Sequence, residues 1–179
     1  ENLARASTID ELLPAIVRLP PLLLGCDRCY CLVYERERAH FTPLAAYGLT
    51  SAQRATFIGV PFDEAAAPLL AEARRSTTPI ELRQANQRAY MCQPILGPFG
   101  GGALLALPLT ARGITLGMLV ADYSAPEHHF TEREQALYAG IANQAAGALE
   151  SALLAQEAAE TARLDEELRL AREIQTTLL

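Results

Sequence analysis

No proline interrupts residues 132–179. Helical throughout, these 48 residues would span about 70 Å, while a folded body of about 150 residues has a radius of gyration near 15 Å. The far part of such a helix must leave the body, and a helix in water is marginal without a partner. Leu164, Leu168, Ala171, Gln175 and Leu178 fall at 4-3-4-3 spacing, the signature of a coiled-coil seam. The spacing predicts a parallel homodimer. Asp165 with Arg169, and Arg169 with Glu173, are expected to form charge pairs one turn apart. The pattern divides the chain into a domain over residues 1–155 and a linker helix over 156–179. That helix carries no closing cap, glycine or proline, so the expectation is a further domain beyond it.

Composition bounds the rest. Half of the residues are hydrophobic and a fifth are charged, which is a globular balance. The net charge of −6 leaves no basic footprint for nucleic acid. No apolar run approaches the roughly 18 residues of a membrane span, and with no apolar stretch after Glu1 and Arg5 no secretory leader is expected. The expectation is a cytoplasmic module with neither nucleic acid nor membrane as partner. All fifteen basic residues are arginine. Lysine-dependent chemistry, such as a phosphate-binding P-loop or a Schiff base, is therefore excluded from this stretch.

Along the chain, residues 7–19 read as a helix. Ser7 or Thr8 would cap it, and Ile9, Leu12, Leu13, Ile16 and Val17 share a face. Pro14 predicts a kink or a late start, and Pro20-Pro21 an end or a bend. Residues 29–35 and 41–47 form a hairpin, and 50–57 a short helix. Residues 63–75 are helical, capped by Asp63 and interrupted by Pro68. Residues 103–109 are apolar on both faces, so both sides of the sheet are expected to be covered. Ala111-Arg112-Gly113 turns the chain into a strand over 115–123. Thr131 caps the last helix, with Glu134 closing a capping box. Leu137, Ile141, Ala145, Ala148 and Ala152 form its expected buried stripe.

Cys26, Cys29 and Cys31 stand in a C-x-x-C-x-C pattern, with Cys92 as a possible fourth thiol. Metal or redox chemistry is one reading. Against it, Cys29 and Cys31 lie on one face of a strand about 7 Å apart, no second C-x-x-C or C-x-x-H pair is present, and buried cysteine is commonly a small hydrophobe. No metal is expected. His128-His129, on the loop before a helix cap, read as solvated.

The order of elements, with Gly25-Cys26-Asp27-Arg28 before the first strand, Leu107-Pro108-Leu109, Gly117-Met118-Leu119, and Phe130-Thr131 opening the final helix, resembles a GAF domain over roughly residues 5–155. The resemblance implies an α+β fold: a central antiparallel sheet of five or six strands, helices on both faces, and a long C-terminal helix. Irregular segments from the middle of the chain would enclose an unidentified small-molecule ligand. Phe62, Tyr90, Met91, Cys92 and Tyr123 are then candidates for the pocket wall. Residues 168–179, LRLAREIQTTLL, resemble the linker helix before the catalytic domain of bacterial PPM-type serine/threonine phosphatases of the sporulation and stress-response kind. This implies a regulatory, non-catalytic module with no cofactor of its own. Metal ions would belong to the phosphatase domain, whose substrate would be an anti-anti-sigma-type phosphoprotein. Two alternatives stand beside it: a cysteine-dependent redox enzyme like the GAF free methionine sulfoxide reductases, and a GAF dimerisation module without ligand.

Overall fold

A computed structural model of the chain describes residues 8–83 and 101–179. It begins with helix α1 (Ile9–Leu24), followed by strands β1 (Arg28–Glu35) and β2 (His40–Tyr47). Helix α2 (Ser51–Phe57), the short strand β3 (Phe62–Asp63), a 3₁₀ turn (Glu64–Ala66), helix α3 (Pro68–Arg75) and strand β4 (Ile80–Leu82) make up the middle. Strands β5 (Ala103–Ala111) and β6 (Ile114–Tyr123) lead to helix α4 (Glu132–Leu178). The six strands form one antiparallel sheet in the order β3-β2-β1-β6-β5-β4.

Strand alternation sorts the core into two compartments. On one face Cys29, Cys31 and Val33 of β1, Leu105 and Leu107 of β5, and Leu119 and Ala121 of β6 pack against α1 and α4. On the other, Tyr30, Leu32, Leu104, Ala106, Met118 and Val120 pack against Phe57, Phe62 and α3. Residues 103–109 are buried along their whole length, as expected for a strand covered on both sides. The β5–β6 hairpin closes at Arg112 and Gly113, both with positive φ. This is the two-residue turn whose twist matches that of the flanking strands. Between β1 and β2 the register shifts after Cys31, leaving Leu44 as an extra residue, a bulge that turns its side chain toward solvent.

Several local expectations are corrected. Helix α1 runs through all three prolines to Leu24 and stops at Gly25, which adopts φ 72° and returns its N–H to the Pro21 carbonyl. Burial of Leu13, Ile16, Val17 and Pro20 against the sheet outweighs the missing N–H groups, a tertiary override of propensity. Thr8 stands at the N-cap position but makes no side-chain cap bond. Pro68 begins α3 instead of interrupting a longer helix, and Asp63 caps nothing. A proline costs little in a first helical turn, where its N–H would go unused. The buried stripe of α4 is Tyr138, Ala142, Ala145, Ala146, Leu149 and Ala152. Leu137 is half exposed, so the expected stripe was rotated by about one residue. Thr131 accepts the Glu134 N–H as a cap at 3.2 Å, but the Glu134 carboxylate turns to Tyr123 and His128 and leaves the box open.

From residue 154 onward every residue of α4 is exposed. Leu164, Leu168, Ala171, Gln175 and Leu178 all lie on this projecting stretch. Arg169 pairs with Glu173, as expected, but its second partner is Glu166 and not Asp165. A glutamate three residues before an arginine suits the helix surface as well as one four residues away.

Candidate functional site

The Gly25-Cys26-Asp27-Arg28 string sits where α1, β1 and β6 meet. Gly25 supplies the left-handed turn out of α1. The Asp27 carboxylate accepts the Ser124 N–H at 2.8 Å and its own N–H bonds to the Asp122 carbonyl at 3.0 Å, so it ties the start of β1 to the end of β6. Arg28 donates through Nε to Asp122 Oδ2 at 2.7 Å and through Nη2 to Ser124 Oγ at 3.2 Å. Asp122, with no solvent exposure, also accepts the Tyr30 hydroxyl at 2.9 Å. Arg28, Tyr30 and Asp122 therefore form a polar corner at the edge of the compartment covered by α2 and α3. Burial, with the neighbouring Asp122 charge, raises the Tyr30 hydroxyl pKa far above its ordinary value. The hydrogen bond to Asp122 raises that of Arg28. The guanidinium is fixed as a cation and the phenol as a donor, so these two side chains present a fixed charge and a hydrogen bond at neutral pH.

A second polar cluster lies on the opposite face, immediately next along β6. The Tyr123 hydroxyl is 2.7 Å from that of Tyr138, 3.0 Å from Glu134 Oε1 and 3.0 Å from the Leu24 carbonyl. The His128 ring stacks on Tyr123 with centroids 3.7 Å apart, and its Nε2 is 2.9 Å from the same Glu134 oxygen. Cys26 is buried in the same core cluster as Tyr123 and Tyr138. One strand thus places Asp122 toward the α2–α3 compartment and the adjacent Tyr123 against the first turns of α4.

Of the five expected pocket residues, Phe62 is buried in the α2–α3 compartment, with its ring 6.0 Å from that of Phe57. Tyr123 belongs to the other face, so the two do not share a wall: the period of two along β6 turns Tyr123 away from the side of Asp122. Tyr90, Met91 and Cys92 lie outside the described residues. A shallow cleft of about 200 Å³ runs between α1 and the edge of β2 past Arg18, Tyr47 and Arg54. It is smaller than an ordinary ligand pocket. Sequence reasoning missed Asp122 and Tyr30. A lone acidic residue ending an apolar strand, two positions from a break, was the available signal.

Cys26, Cys29 and Cys31 are buried free thiols in the core between sheet and helices. Among the described residues, no group of three or more histidine, cysteine or acidic side chains could hold a metal. Burial pushes Cys26 up to about 11 and Cys31 up to about 12, with Cys29 also well above the ordinary thiol value. These three are protonated at neutral pH and do not act as nucleophiles there.

The model of one domain family, the GAF domain, matches residues 8–149. The chain belongs to the GAF family. GAF domains are regulatory and sensory domains of signalling proteins. Solved structures agree on the fold. The GAF domain/HD domain protein from Geobacter sulfurreducens is 20% identical, with TM-score 0.73 over 86% of this chain and 99% of that one. The GAF domain of a phosphoenolpyruvate-protein phosphotransferase from Coxiella burnetii is 24% identical, with TM-score 0.70 over 86% and 89%. The GAF-B domain of DevS from Mycobacterium smegmatis is 23% identical, with TM-score 0.61 over 86% and 96%. No curated protein matches. Among the described residues, no helix is long and apolar enough to cross a membrane.

Proposed function

We propose that this GAF domain is the sensory module of a signalling phosphatase. It dimerises through the projecting part of α4 and couples a small-molecule or protein signal at the α2–α3 compartment to a PPM-type catalytic domain following Leu179. The observation that carries this reading is the back-to-back placement of Asp122 and Tyr123. A change in the packing around Asp122 displaces the end of β6, and Tyr123 passes that displacement to Glu134 and Tyr138 at the root of α4. Two arrangements of α4, differing in stability by a few kcal/mol, would suffice for control by population shift. The link to a phosphatase is supported by the LAREIQ-x-x-LL string of residues 170–179. The link to an anti-anti-sigma-type phosphoprotein substrate rests on that string as well.

The test is a fusion of this chain to a PPM-type catalytic domain placed directly after Leu179, beside a second fusion with two residues inserted before the junction. The insertion turns the catalytic domain by about 200° around the helix axis. The expected result is a clear difference in the rate at which a phosphorylated anti-anti-sigma-type protein is hydrolysed. Equal rates, together with indifference to Tyr123→Phe, would refute the coupling.

A further inference from the structure

The projecting part of α4 carries two overlapping heptad seams. Both use Leu164, Ala171 and Leu178; one adds Leu168 and Gln175, the other Glu167 and Ile174. Each contains a polar intrusion, so hydrophobicity alone does not choose between them. Charge does. Arg163 pairs within the helix with Glu160 and Glu167, and Arg169 with Glu166 and Glu173. Among the described residues, Arg172 has no carboxylate within ion-pair distance, the one arginine of residues 156–179 so placed.

When Leu168 and Gln175 belong to the seam, Glu167 and Arg172 flank it on opposite sides, five residues apart. In a parallel, in-register pair of helices, flanking residues at that separation meet across the interface and set partner choice. The alternative seam puts Leu170 opposite Gln175 and Arg163 opposite Leu168 at the equivalent positions, with no charge complementarity. We infer that this surface binds a second copy of the chain, parallel and in register, with Glu167 of each copy meeting the partner's Arg172. Gln175 then faces its own counterpart across the two-fold axis, a pairing that specifies register at some cost in stability. This inference rests on the dimeric reading above and fixes its orientation.

The geometry of the body allows it. Carried back along α4 in the same heptads, the seam meets Thr161, Glu157, Leu154, Glu150, Gly147, Asn143, Gly140 and Ala136, all exposed except the half-buried Glu150. They lie away from the buried stripe, so the two bodies hang outside the pair. A Cβ added at Gly140 or Gly147 would meet nothing within 4 Å, which leaves that surface open to a close neighbour. Like charges oppose the pairing towards the body: Glu160 would face the partner's Asp165, and Glu157 and Glu150 would each face their own counterparts across the axis. Glu160 is already held by Arg163 at 2.6 Å, which partly neutralises it, and Asp165→Arg should therefore tighten the dimer.

The test uses sedimentation equilibrium of the 179-residue chain and of the variants Glu167→Arg and Arg172→Glu. Each variant turns two attractive contacts into repulsive ones and should weaken dimerisation about ten-fold, with the helix content by circular dichroism unchanged. Mixed together, with one carrying a mass tag, the two variants should form heterodimers well above the half expected for random pairing. That excess should fade in high salt. A wild type that dimerises while neither variant weakens it, or a mixture that pairs at random, overturns the assigned register and leaves the dimer standing. A wild type that stays monomeric sinks the dimeric reading and this inference together.

Discussion

Removing the Arg28 side chain should be the most revealing perturbation of the polar corner. Asp122 has no solvent exposure and the Arg28 side chain only 16%, so Arg28→Met strands a carboxylate without its guanidinium. Breaking a buried pair from one side costs about 3–5 kcal/mol. Asp122→Leu strands the other partner, but Arg28 keeps Ser124 at 3.2 Å and a path to water. Its cost should lie lower, near 2–3 kcal/mol, mostly from the lost hydrogen bond between the Tyr30 hydroxyl and Asp122. The double variant Arg28→Met with Asp122→Leu should recover much of the loss, because no unpaired charge remains. Urea unfolding at pH 7 measures all three. Additive single effects in the double variant would refute the account of the corner as a coupled buried pair.

Other consequences are open to direct measurement. Tyr123→Phe should cost about 1–2 kcal/mol and raise amide exchange in the first turns of α4 more than elsewhere; uniform exchange would count against the cluster as the root of the helix. Gly117→Ala places a Cβ about 2.2 Å from the Leu32 carbonyl oxygen, backbone that cannot yield without parting β1 from β6. The expected loss is roughly 3 kcal/mol in thermal unfolding. Cys26, Cys29 and Cys31 should resist iodoacetamide at pH 8 until the protein unfolds. Because their folded pKa values exceed the unfolded one, the stability they contribute is complete below about pH 9 and declines as pH rises through about 11 and about 12 for Cys26 and Cys31, readable as a falling unfolding midpoint.

Periodicity made most of the fold legible. Strands β1, β2, β5 and β6 are long enough for alternation to declare both faces, and their bounds came within one or two residues of the expectation. The errors share a cause: local rules met tertiary packing. Three prolines argued against α1, yet Leu13, Ile16, Val17 and Pro20 are held by the sheet. In α4 alanines lie on several faces between residues 136 and 162, so hydrophobicity fixed the rotation poorly, and the large residue that decides it, Tyr138, did not look apolar enough to be chosen. The site was less legible than the fold. Phe62 lies in the α2–α3 compartment and Tyr123 on the other face, a separation set by the parity of β6, which the sequence did not declare. Asp122 and Arg28 stand 94 residues apart, and no local pattern announces an ion pair across such a gap.

The unbroken run of α4 also has a mechanical consequence. Its exposed part, about 25 residues, extends roughly 38 Å beyond the last buried turn. A helix of that length works as a pointer: a tilt of about 3° at its root moves its tip by about 2 Å. Displacements at Tyr138 too small to disturb the packing of the sheet would therefore arrive at Leu178 as movements on the scale of a side chain.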